Sequence, residues 1–204
     1  MEVNVFCLGP LETTCVLLHN GKEALVFDPG GNPQEVVDYL KTHGLTLTGI
    51  FNTHLHFDHT YGNASLSRAT GAPVKASERD SYMLQSQLGQ GGTYGLPQVD
   101  PYDFADIDEG WLELLGEKCK ILATPGHSPG SLSYYFPGKG IVLSGDVLFY
   151  RSVGRSDFPG GDGQTLLKTI REKLYALPEA TVVYAGHGLK TTIGAEKTEN
   201  PFTL

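Results

Sequence analysis

Three histidines and an aspartate crowd one short stretch of this chain, Thr53-His54-Leu55-His56-Phe57-Asp58-His59. Neutral imidazole nitrogens and carboxylate oxygens suit zinc, iron and manganese. Four such donors exceed what one open catalytic zinc takes, typically three protein ligands and a water. Two metals are therefore expected, with more ligands further along. The sequence offers three: His127 in Thr124-Pro125-Gly126-His127-Ser128, Asp146 in Leu143-Ser144-Gly145-Asp146, and His187 in Ala185-Gly186-His187-Gly188. Each follows a glycine, which lets the backbone turn sharply. Two metals about 3.5–4 Å apart share one hydroxide and polarise a carbonyl, which is hydrolytic chemistry at neutral pH.

Donors so far apart in sequence need a rigid scaffold, and the elements read as one. Residues 14–19 are apolar and β-branched, Asn20-Gly21 signals a type I′ hairpin, and residues 23–28 return as a strand. Asn32, Pro33 and Glu35 read as a capped helix start, with Gly44 as its stop. Residues 45–52 form the strand that leads into the histidine motif, and a helix is expected after it. Further strands are expected at 73–76, 111–115, 119–124, 132–136, 141–144 and 181–185. Helices are expected from Ser77 to Leu88 and over 163–177, where Leu166, Leu167, Ile170, Leu174 and Leu177 share a face. Residues 89–101 are Gly-rich and read as a surface loop carrying Tyr94. Every metal-ligand candidate thus lies at a strand end, where a rigid scaffold presents ligands. Two β-rich blocks with helices predict an α/β architecture of two sheets packed face to face, helices outside.

The 204 residues read as a single domain, 1–204, with no linker to split it. A formal charge of −8 argues against binding nucleic acid through its phosphates. No apolar run approaches a membrane span of about 18 residues. The start, MEVNVFCLGPLETT, lacks the charged and apolar regions of a signal peptide. Cys7, Cys15 and Cys119 are odd in number and show no ligand spacing, so they read as buried small hydrophobes in a reduced, cytoplasmic protein. His19 and His43 lie outside the motif and are expected at the surface.

The order HxHxDH, Gly-His, Gly-Asp, Gly-His resembles the metallo-β-lactamase superfamily over nearly the whole chain. Within it, the chain looks most like the short bacterial glyoxalase II (hydroxyacylglutathione hydrolase) branch. Residues 153–159, Val-Gly-Arg-Ser-Asp-Phe-Pro, carry that likeness, as does the segment from Gly186-His187-Gly188 through Glu196 to Asn200-Pro201-Phe202. The resemblance implies a four-layer αβ/βα sandwich. It implies His54, His56 and His127 as ligands of a first metal, Asp58, His59 and His187 as ligands of a second, and Asp146 as the bridge. Asp58 would also orient the attacking hydroxide. The implied reaction is hydrolysis of a thioester, most simply S-D-lactoylglutathione to D-lactate and glutathione, with two divalent ions, zinc and/or iron, manganese also fitting. A thiolate leaves without an acid, and none stands beside the motifs.

Full-length glyoxalase II carries a C-terminal helical domain that grips glutathione, and beyond His187 this chain runs only from Gly188 to Leu204. Arg155 is the best replacement contact for a substrate carboxylate, with Tyr150 and Arg151 behind it. Two rivals share the fold. A persulfide dioxygenase would hold one iron and accounts for the Gly154-Arg155-Ser156-Asp157-Phe158 segment. A hydrolase of another ester or lactone would keep the same metals.

Overall fold

The computed structural model describes all residues 1–204, which form two compact units, Met1–Ile107 and Asp108–Leu204. The first holds a six-stranded mixed sheet in the order β1-β2-β3-β4-β5-β6. Its strands are β1 (Glu2–Leu8), β2 (Thr13–His19), β3 (Glu23–Phe27), β4 (Thr46–Phe51), β5 (Val74–Ala76) and β6 (Ala105–Asp106). β1, β2 and β3 pair antiparallel, while β3 to β6 run parallel. Parallel neighbours need a crossover. Helix α1 (Gln34–Thr42) supplies one, and α2 (Phe57–Thr60) with α3 (Asn63–Thr70) supplies the next. Val36 and Leu40 of α1 and Leu66 of α3 bury against Leu17, Val26, Ile50 and Val74 of the sheet.

Local chemistry departs from the sequence reading in five places here. β1 carries no strong strand signal and forms as the free edge of the sheet. At the β2–β3 hairpin only Gly21 is left-handed, at φ 90°. Asn20 instead accepts the amides of Lys22 and Glu23 on its side-chain oxygen, so no type I′ turn is needed. Asn32 accepts the amide of Gln34, but Pro33 occupies the cap position and no capping box forms. The stretch from Ser77 is a 3₁₀ helix over Glu78–Gln85, followed by the short α4 (Gln87–Gln90). His19, expected at the surface, is buried, with Tyr39 Oη 3.3 Å from its Nε2.

The second unit holds another six-stranded mixed sheet, order β14-β13-β10-β9-β8-β7. It comprises β7 (Gly110–Leu114), β8 (Glu117–Ala123), β9 (Leu132–Phe136), β10 (Ile141–Gly145), β13 (Val182–Ala185) and β14 (Thr191–Thr192). Only β10 and β13 pair in parallel. Between them lie the hairpin of β11 (Leu148–Phe149) and β12 (Ser152–Val153), and the helix α5 (Gly163–Thr169). The predicted 163–177 helix continues past α5 as one π turn, Ile170–Leu174. Leu166, Ile170 and Leu174 still bury together against Leu122, Val142 and Val183. A short α6 (Ile193–Glu199), unforeseen from periodicity, seats Ile193 in the same core. No helix is long and apolar enough to cross a membrane.

Candidate metal centre

In the first unit the candidate ligands sit just past β4. Asn52 donates its side-chain amide to the His59 backbone carbonyl and to Asn63 Oδ1, tying strand end to helix start. His56 caps α2, which carries Asp58 and His59 in its single turn. All four candidates are buried. His54 Nε2 and His56 Nδ1 converge to 2.9 Å, and His59 Nε2 lies 3.8 Å from Asp58 Oδ2.

A residue that the motif does not include orients this set. Asp28, at the end of β3, is buried and held at φ 51°. Its Oδ2 stands 3.0 Å from His59 Nδ1. Its Oδ1 accepts the Thr53 amide at 2.8 Å, and Thr53 Oγ1 donates to Oδ2 at 2.7 Å. An ionised carboxylate only accepts, so the Thr53 hydroxyl spends its proton on Asp28 and accepts from His54 Nδ1, 3.1 Å away. One carboxylate thereby sets the tautomer of His54, which presents Nε2, and stands beside the His59 ring as a charge partner. Outer partners of this kind orient metal-bound imidazoles. The sequence signal was available: an acidic residue at the end of an apolar strand, followed by Pro29-Gly30-Gly31.

In the second unit His127 follows β8, Asp146 follows β10 and His187 follows β13. Gly126 is at φ 132°, and a Cβ there would lie 2.3 Å from the Leu166 backbone, so the turn that presents His127 requires glycine. Gly145 is also left-handed, at φ 51°, beside a register shift in β10. His127 Nδ1–H donates to the Arg155 carbonyl at 2.7 Å, which leaves Nε2 to face Asp146. Asp146 Oδ2 lies 3.8 Å from His127 Nε2 and 3.6 Å from His187 Nε2. These separations are too long for hydrogen bonds. They approach the roughly 3.4 Å between two donors on one tetrahedral zinc, given bonds of about 2.0–2.1 Å. A single carboxylate oxygen flanked by two imidazoles in this way fits a shared ligand.

The donor set fits metal: each of the seven side chains offers a nitrogen or carboxylate oxygen. Phe149 meets the His187 ring edge-on, with centroids 6.4 Å apart.

The three candidate substrate contacts are differently placed. The Arg155 guanidinium binds Asp157 through two hydrogen bonds, at 2.8 and 2.7 Å, and stacks on Phe158 at 3.7 Å. That pair holds the Asp157 carboxyl down at about 2. Arg151 is engaged by Glu196 and Glu199, and its guanidinium lies over the half-exposed Tyr150 ring at 4.8 Å. Tyr94, on the loop after α4, is almost wholly exposed, and the loop closes through a bridge between Gly91 and Gln98. Of the cysteines, Cys15 and Cys119 are buried as expected, but Cys7 on the edge strand is exposed.

A family model described as Metallo-beta-lactamase superfamily matches residues 8–187. A Bacillus subtilis protein named Probable metallo-hydrolase YqgX is 38% identical over 96% of this chain and 94% of its own length. Hydroxyacylglutathione hydrolase GloC of Haemophilus influenzae is 34% identical over 99% of this chain and 98% of its own. Among solved structures, the BLEG-1 B3 metallo-beta-lactamase superposes with a TM-score of 0.91 at 38% identity, covering 99% of both chains. TTHA1623 in a di-iron-bound form superposes at 0.88 with 36% identity, covering 98% of this chain and 100% of its own.

Proposed function

This chain belongs to the metallo-beta-lactamase superfamily and has its fold, and on that premise we propose that it hydrolyses a glutathione-derived thioester, S-D-lactoylglutathione in the simplest case. As a metallo-hydrolase of that superfamily it carries histidines and aspartates able to hold metal. The observation that carries the two-metal reading is Asp146 Oδ2 between the Nε2 atoms of His127 and His187. In this proposal the two units act as one domain. His54, His56 and His127 would hold one ion, Asp58, His59 and His187 would hold the other, and Asp146 would serve both. Zinc and iron both suit these donors, and so does manganese. A structural relative binds two irons.

Bound metal supplies a water acidified to near neutrality and an electrophile for the carbonyl. The chain's own residues do the rest. Asp28, through Thr53, and the Arg155 carbonyl hold the imidazole protons of His54 and His127 on Nδ1, leaving Nε2 as the donor each would offer a metal. Asp58 would accept a hydrogen bond from the attacking water and so aim it. A thiolate with a pKa of about 8.5 departs unprotonated, so no general acid is required. Arg155, already flat against Phe158, offers its remaining N–H groups to a substrate carboxylate. The named relative GloC supports the thioester, and three unpaired cysteines fit a reducing cytoplasm.

The test is turnover of S-D-lactoylglutathione by metal-quantified protein. A kcat/KM above ~10⁴ M⁻¹s⁻¹ with two metals per chain is expected. Two metals without turnover of any glutathione thioester would end the thioester reading and direct attention to lactones and β-lactams. One iron per chain with oxygen uptake on glutathione persulfide would make it a dioxygenase.

A further inference from the structure

The metal reading leaves the C-terminal segment, Glu196 with Asn200-Pro201-Phe202, without a role. Glu196 is fully buried, yet its carboxylate is saturated. Oε1 accepts from Arg151 Nη1 at 2.7 Å and Thr191 Oγ1 at 2.6 Å. Oε2 accepts from the Arg151 amide at 2.9 Å and Asn200 Nδ2 at 2.8 Å. The same Asn200 nitrogen also donates to the Ser152 carbonyl at 2.9 Å. Two of these contacts grip the backbone of residues 151 and 152, the far end of the β11–β12 hairpin.

That hairpin has two residues per strand, too short to hold itself. Its turn also carries Arg151 at φ 56°, a conformation non-glycine residues disfavour. The hairpin and the residues flanking it reach every ligand candidate of the second unit. Asp146 precedes it, and Gly154 closes it by packing against the Asp146 backbone so tightly that a Cβ would lie 1.8 Å from the Asp146 carbonyl oxygen. The carbonyl of Arg155, next in sequence, accepts a hydrogen bond from His127 Nδ1. Phe149 of β11 abuts the His187 ring.

We propose that Glu196 is a positioning residue for the metal-ligating set His127, Asp146 and His187, acting through the hairpin it pins. The proposal rests on those three being ligands. It assigns the buried carboxylate of α6 to the metal centre, although Glu196 itself binds no metal.

The experiment titrates metal-free full-length protein with Co²⁺, following visible d–d absorption, and measures urea unfolding of the same metal-free samples. Glu196→Gln keeps the shape but turns one acceptor oxygen into an N–H donor facing two donors. It should weaken Co²⁺ binding about tenfold or more and alter the band pattern. Glu199→Gln, which removes an exposed partner of the same Arg151, should change affinity less than twofold. Asn200→Ser removes the link to Ser152 from the other side, and it decides the question if Glu196→Gln does not fold. Unchanged Co²⁺ affinity and bands in folded Glu196→Gln or Asn200→Ser, with only the unfolding midpoint lowered, would overturn the proposal while leaving the ligand assignment standing. Wild-type protein that binds no Co²⁺ would overturn both.

Discussion

Asp28 Oδ2 stands 3.0 Å from His59 Nδ1, while the same oxygen accepts the Thr53 hydroxyl that in turn meets His54. Two candidate ligands of the first unit thus depend on one carboxylate outside the motif. Asp28→Asn, which tolerates the left-handed backbone, should lower metal affinity by about 10–100-fold. Isothermal titration of the metal-free protein with Zn²⁺ checks this, and an affinity equal to wild type would refute the orienting role.

Asp146→Ala removes the oxygen common to His127 and His187. Bound metal and hydrolytic activity should fall together, as read by elemental analysis and a thioester assay. Full activity at normal metal content would sink the assignment. Chelation of the wild type should likewise abolish activity and lower the thermal midpoint, because metal bound only by the folded chain adds its binding energy to stability.

The Arg155–Asp157 pair makes a pH prediction. Asp157 titrates at about 2, below an ordinary carboxylate, chiefly because Arg155 hydrogen-bonds its charged form. A depressed carboxyl stabilises the fold above the ordinary range and loses that contribution as pH falls through its lowered value. The pair should therefore persist unchanged from pH 5 to 9. Carboxyl NMR should place the Asp157 midpoint near 2 and show it rising toward the ordinary value in Arg155→Gln. A wild-type midpoint near 4 would contradict the geometry.

Gly126→Ala combines a disfavoured φ with a Cβ 2.3 Å from the Leu166 backbone. Strain and overpacking together should cost about 2–4 kcal/mol in urea unfolding of the metal-free protein. A loss under 0.5 kcal/mol would mean the turn relaxes freely.

Thiol reactivity tests the burial pattern. Burial pushes the Cys119 thiol to about 12 and raises Cys15 well above its ordinary value, whereas Cys7 is exposed. Since the thiolate is the nucleophile, one thiol should react with an aromatic disulfide in native protein and three after unfolding.

The placement of His54, His127, Asp146 and His187 just past strand ends was legible because apolar strands stop abruptly at His- or Asp-bearing turns, whereas Asp58 and His59 ride on the short α2 that follows. The two-sheet architecture was legible for the same reason: strands such as Leu132–Phe136 are buried throughout and read as continuous apolar runs. Asp28 escaped because a lone carboxylate after a strand looks like a turn residue until its partners, 25 and 31 positions on, fold back to it. Glu196 escaped for a related reason. In sequence it is one acid in a short polar helix, and only tertiary pairing with Arg151 reveals a buried acceptor. The π turn at Ile170–Leu174 was invisible because its apolar face is preserved while the backbone bonding is not. Arg155 and Arg151 both follow Asp146 as cations, yet one lies on Asp157 and the other on Glu196, a pairing that only the folded chain reveals.

The fixed Nδ1 protons of His54 and His127 bear on how metal enters. Each ring is already oriented, its Nδ1–H donating to Thr53 Oγ1 or the Arg155 carbonyl. At these two rings loading then needs no change of the Nδ1 tautomer. The slow step falls to the incoming ion, which must shed its own water, so uptake should rank metals by water-exchange rate: manganese, iron and zinc quickly, nickel far behind.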